Sequence, residues 1–105
     1  MPKPLELTLI DSEGNKNHFK QERVPMRKMI EALQLQDEFE MGLIQTNVDG
    51  VTKKLEFVAG CFDDSRVTAE SIIEGLDARE FKSKIQNIIS NVMGMDDSDP
   101  KEQEN

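Results

Sequence analysis

Between Phe81 and Val92 the apolar residues Phe81, Ile85, Ile88, Ile89 and Val92 fall at i, i+4, i+7, i+8 and i+11. That spacing describes one face of an amphipathic helix, and no other stretch of the chain is patterned as strongly. A stripe of this kind usually faces a core, so the rest of the chain must supply one. Asp77-Ala78-Arg79-Glu80 stands just upstream as a capping-box-like start, with Asp in place of Ser or Thr, and Gly94 marks the end.

Earlier segments supply candidate partners for that stripe. Leu5-Glu6-Leu7-Thr8-Leu9 alternates apolar and polar residues, as a half-buried strand does. Asp11-Ser12-Glu13-Gly14-Asn15 is rich in turn formers, and Lys16–Gln21 around Phe19 can return as a second strand. Residues 4–22 therefore predict a β-hairpin. Pro25 suits the first turn of a helix whose apolar residues Met26, Met29, Ile30 and Leu33 share one face. The pattern loosens after Gln34, with Gly42 as a stop and a connection expected over residues 44–50. Val51, Leu55, Val58 and Phe62 then predict a second helix over residues 50–62, with Phe57 beside the stripe. Thr68 caps a short helix, Ala69–Glu74, with Val67 and Ile72 stapled across the cap and Gly75 as a left-handed stop.

At 105 residues the chain suits one domain. The fold class expected is α+β: a small, mostly helical domain with an N-terminal β-hairpin, about four helices and a disordered acidic C-terminal tail. The domain covers residues 1–94 and the tail residues 95–105. After Met95 every residue except Pro100 is polar or charged, with five acids against one lysine, so nothing there can enter a core.

Charge narrows the function. The net charge of −8 opposes binding to nucleic acid or to anionic membrane surfaces. No apolar run approaches the ~20 residues of a membrane span, and Met-Pro-Lys-Pro does not open a signal peptide. A single cysteine, Cys61, fits a reducing cytoplasm.

Catalytic and metal chemistry find little support. His18 is the only histidine and sits in a polar strand, where a solvated role is the ordinary one. Cys61 has no base nearby in sequence to activate it. Asp63-Asp64 and Asp96-Asp97-Ser98-Asp99 lack the spacing, glycine and terminal glutamate of a calcium loop. No catalytic, cofactor-binding or metal-binding residue is therefore assigned.

The first helix carries a different signal. Arg23, Arg27 and Lys28 form a basic cluster beside Met26 and Met29 in an otherwise acidic chain. Met is flexible enough to repack against varied partners. Arg23, Met26, Arg27, Lys28 and Met29 are thus the candidate partner-binding residues, set against the plainer reading of a Met face in the core with a solvated flank.

The order of these features resembles a known family. Val24-Pro25-Met26-Arg27-Lys28-Met29-Ile30-Glu31-Ala32-Leu33 opens the first helix, and Leu55-Glu56-Phe57-Val58-Ala59-Gly60-Cys61-Phe62 closes the second. The capped Val67-Thr68 segment leads through Ile72-Ile73-Glu74-Gly75-Leu76-Asp77-Ala78-Arg79-Glu80-Phe81 to the last helix and Val92-Met93-Gly94. Across residues 5–94 this is similar to the tail assembly chaperones of siphophages and prophages of Gram-positive bacteria.

The resemblance implies a non-catalytic protein of the host bacterial cytoplasm, absent from the mature virion, that coats the aggregation-prone tape measure protein. Coating a long client through weak single sites needs multivalency, and self-association into oligomers through the hairpin edge or through the first helix would supply it. A frameshift-extended form would recruit tail tube protein, and this chain would be the short product. Asp99-Pro100-Lys101 permits a slippery codon run at the matching place. The reading from another class is a small acidic regulatory protein that holds a host or phage factor by the same Met-bearing face.

Overall fold

A computed structural model describes residues 3–94, so the expected acidic tail lies outside the described residues. Strands β1 (Leu5–Ile10) and β2 (Lys16–Gln21) form an antiparallel hairpin with Leu5 opposite Gln21 and Leu7 opposite Phe19. The loop is closed by Asp11, whose carboxylate accepts from the amides of Glu13 and Asn15 at 3.0 and 2.9 Å. Gly14 supplies the positive φ of 87° that the turn requires. With period-two alternation, Leu5, Leu7, Leu9, Phe19 and Gln21 face inward, while Glu6, Thr8, His18 and Lys20 face solvent.

A two-stranded hairpin is marginal by itself, and here helices cover its inner face. Helix α1 spans Met26–Glu40, α2 Asn47–Gly60 and α3 Ala69–Gly75. A 3-10 turn, Ala78–Glu80, then leads into a π-helical segment, Phe81–Gln86, that continues as α4, Asn87–Val92. The architecture is the α+β arrangement expected from the sequence. Its core joins Leu7 of β1 and Phe19 of β2 to Leu55 and Val58 of α2, Ile72 of α3, and Ile85 and Ile88 of the C-terminal helix.

Several boundaries differ from the sequence reading, each for a local reason. Helix α1 runs on to Glu40 and stops at Gly42, whose φ of 75° lets the Leu43 amide reach back to the Glu38 carbonyl at 3.0 Å. Helix α2 starts at Asn47, inside the expected connection, because Thr46 caps it by accepting from the Asp49 amide at 3.0 Å. Its end is Gly60 rather than residue 62.

Gly75 is not a left-handed stop. The chain's positive-φ glycines are Gly14, Gly42 and Gly94, whereas Gly75 remains helical against β1. A Cβ there would lie 2.7 Å from the Ile10 carbonyl oxygen, so glycine is required for close packing rather than for a turn. Thr68 caps α3 as expected, and Ser71 returns the bond: its hydroxyl accepts from the Thr68 amide at 2.8 Å. At the next start, the Asp77 carboxylate accepts from the Arg79 amide, and the Glu80 backbone amide donates to the Asp77 carbonyl at 2.9 Å rather than its side chain completing a reciprocal box. The stripe from Phe81 is correctly placed toward the core, but its first six residues wind as a π-helix.

Candidate partner-binding surface

Helix α1 is held at its start by Gln21. The Gln21 side-chain amide donates to the Arg23 carbonyl at 2.8 Å and to Asp63 at 3.1 Å, and its carbonyl accepts from the Asp63 amide at 2.8 Å. This buried bridge ties the end of β2 to the segment after α2, and satisfies the one polar side chain buried on the hairpin's inner face. From that anchor α1 crosses α2 and α4.

Of the five residues singled out in the sequence, Arg23 precedes α1 and the other four divide between two sides of the helix. Arg23, Met26 and Arg27 are exposed, and Met26 is 68% exposed. Lys28 is half-buried, forms an ion pair with Glu31 at 3.1 Å and lies across the end of α2 near Gly60. Met29 is half-buried, its methyl beside Gly94 after α4. A single continuous Met face therefore does not exist.

What the structure uncovers instead is a longer apolar surface. Ile30 and Leu33, assigned by their spacing to the same face as Met29, are 50% and 42% exposed and continue the line from Met26. The only fully buried residue of α1 is Ala32. Beyond its end, Met41, Leu43 and Val48 are 71%, 64% and 74% exposed at the tip of the α1–α2 hairpin, with Phe39 and Val51 also exposed there. Sequence periodicity cannot separate an outward apolar stripe from an inward one. Met41 and Leu43 in the α1–α2 connection, and Val48 in the first turn of α2, lie outside the helical stripes read from the sequence.

The hairpin itself is firmly joined. A Cβ at Gly50 would come within 2.9 Å of the Phe39 ring, so glycine lets α1 and α2 approach closely. Lys54 places its ammonium 4.9 Å from the Phe39 ring centre and 5.9 Å from that of Phe81, linking both helices to the C-terminal segment. Open depressions flank this region; one of about 350 Å³ between α1 and α4 is lined by Leu35, Phe39, Ile89 and Met93 among others.

Charge on α1 runs against the helix dipole. Its first turn holds Arg27 and Lys28 and no acid, while its last turn holds Asp37, Glu38 and Glu40 and no base. Both ends carry the sign that the dipole disfavours.

The remaining chemical candidates have structural occupations. Burial pushes the Cys61 thiol up to about 11, against a smaller opposing pull from Lys28, so it is protonated at neutral pH. His18 accepts or donates across the hairpin to Thr8 at 2.8 Å and lies 3.3 Å from Glu6, on the exposed face. Asp64 grips Arg66 at 2.8 Å, and that hydrogen-bonded guanidinium lowers its carboxyl to about 2. Among the described residues no group of three or more His, Cys, Asp or Glu side chains could hold a metal ion.

Among the described residues, a buried core thus carries a helical hairpin whose apolar side chains are exposed. A family model for phage tail chaperone proteins matches residues 1–105, the whole chain, and the protein belongs to that family. No curated protein and no solved structure matches it.

Proposed function

We propose that this tail assembly chaperone works without catalysis, by binding the tape measure protein and keeping it soluble while the tail is built. The observation that carries this reading is the apolar surface left uncovered on α1 and the α1–α2 tip, from Met26 through Val51, in a chain that belongs to the phage tail chaperone family. An exposed apolar surface of that extent calls for a partner, and a long helical client offers many equivalent segments to many copies. Weak individual contacts then become effective through multivalency.

In this reading the client contact centres on the exposed tip residues Met41, Leu43, Val48 and Val51, Arg23 just ahead of α1 and Met26 and Arg27 on its outer face serve self-association, and Lys28 and Met29 support α1 from behind. Self-association brings copies side by side on the client. The chain would be the short product of a frameshifted pair, whose extended form engages tail tube protein. Its work belongs in the host cytoplasm, and no described helix is long and apolar enough to cross a membrane. The chain's net charge of −8 helps uncomplexed copies remain soluble.

Co-expression tests the reading. With this chain present, the tape measure protein of the same phage should move from the insoluble to the soluble fraction and co-purify with it. A client equally insoluble with and without the chain would overturn the proposal.

A further inference from the structure

We infer that the outer face of α1 pairs with the same face of a second copy, antiparallel and about a two-fold axis, leaving the α1–α2 tip free for the client. This deepens the reading of the uncovered surface as an interaction surface, and two observations carry it.

The first is the order of residues along the outward line. Met26, Ile30 and Leu33 follow one another at i, i+4 and i+7, and Asp37 and Glu40 continue the same spacing. Arg23, just ahead of the helix, and Arg27, about 100° round it from Met26, are exposed beside the other end, and among the described residues neither has a carboxylate partner. Asp37 likewise has no cationic partner there, and Glu40 accepts only from the neutral Gln36 amide, at 3.1 Å. The line is thus basic at one end, apolar in the middle and acidic at the other. An antiparallel copy centred at the level of Glu31 and Ala32 brings Ile30 opposite Leu33, and the Arg23–Arg27 end opposite the Asp37–Glu40 end. A two-fold axis makes that match twice, as self-complementary interfaces require.

The second observation is the reversed charge order on α1, which no contact within the described chain relieves at Arg27 or Asp37. An antiparallel partner sets acidic side chains and a negative helix end beside the basic start of α1. The arrangement that disfavours the lone helix therefore favours the pair. A client helix of arbitrary sequence would not supply this match.

One helix face buries less than the ~800 Å² per partner of a standard interface, so the dimer dissociates on dilution. Pairing through α1 joins two tips into one bivalent unit, which strengthens the hold on a long client without any new client contact.

Charge reversal tests this directly. Sedimentation equilibrium of the wild type should show a concentration-dependent dimer. R23E/R27E and D37K/E40K should each weaken it by about tenfold or more, because each turns attraction into repulsion at both ends. An equimolar mixture of the two variants should restore association as a heterodimer. Both reversals also correct the clash with the helix dipole, so each variant should fold at least as stably as the wild type while pairing worse, and urea titration reads that separately. A wild type monomeric at every concentration, variants that dimerise like the wild type, or a mixture that stays monomeric would each overturn the pairing. The pairing is read from the chain alone, so its failure is distinguishable from failure of the client reading, which co-expression tests separately.

Discussion

The two halves of this small domain bury their apolar residues to very different degrees. From β1, β2, the second half of α2, α3 and the C-terminal helix, large side chains converge until Leu7, Val58, Ile72 and Ile85 are almost completely enclosed. Helix α1, as long as any other element, contributes only Ala32 to the fully buried set, and its Met26, Ile30 and Leu33 point outward. The contrast shows that similar stripes at helical spacing do different work. One closes a core, and the other remains available.

The largest effects should separate these halves. Ile85→Ala opens a cavity in the enclosed region and should cost about 2–5 kcal/mol, whereas Ile30→Ala on the outer face should change stability by no more than about 0.5 kcal/mol. Urea unfolding followed by circular dichroism measures both, and equal losses would erase the distinction. Next in size, Gly75→Ala should cost about 1–3 kcal/mol, because the new methyl meets the Ile10 carbonyl and must push α3 off β1. An unchanged midpoint would mean that this contact relaxes freely. Thr68→Ala removes one side of the reciprocal cap on α3 and should cost about 1 kcal/mol, with Thr68→Ser restoring most of it.

Cys61 sharpens the comparison through pH. Its folded-state value is raised from 9.0 to about 11, so the linked stability is full below pH 9 and is lost as pH rises toward 11. Native protein at pH 8 should therefore resist thiol reagents, and labelling should follow exposure of the buried Cys61. The smallest effect belongs to Asp64. Its carboxyl is lowered from 3.8 to about 2, so its contribution is present above 3.8 and fades as pH falls through 2. Screening by solvent around this surface pair keeps it minor: Asp64→Asn should leave neutral-pH stability nearly unchanged and flatten only the acid limb of a pH titration.

Much of this was legible in the sequence because local rules and tertiary packing agree. The alternation of Leu5, Leu7 and Leu9 and the Thr68 cap state their own local structure, and the stripe from Phe81 to Val92 states a helical face that here meets the core, though its first six residues wind as a π-helix. Legibility fails where a residue's role depends on something far along the chain. Gly75 resembles a helix stop until β1 is seen lying against it, and the start of α2 rests on the single cap at Thr46. The candidate site was half visible for the same reason. Arg23, Met26 and Arg27 were identified by charge and type and are exposed, but Met29 and Lys28 turn inward. Ile30, Leu33 and the tip residues Met41, Leu43 and Val48 complete the surface. Helical spacing names a face without saying which way it points.

The most direct check of the proposed binding surface is amide hydrogen exchange of the chain alone and mixed with the tape measure protein of the same phage. Exchange should slow across the α1–α2 tip, Met41–Val51, while β1, α3 and α4 keep the protection they already have. Client-dependent protection confined to the β2 edge or to α4, with the tip unchanged, would contradict it.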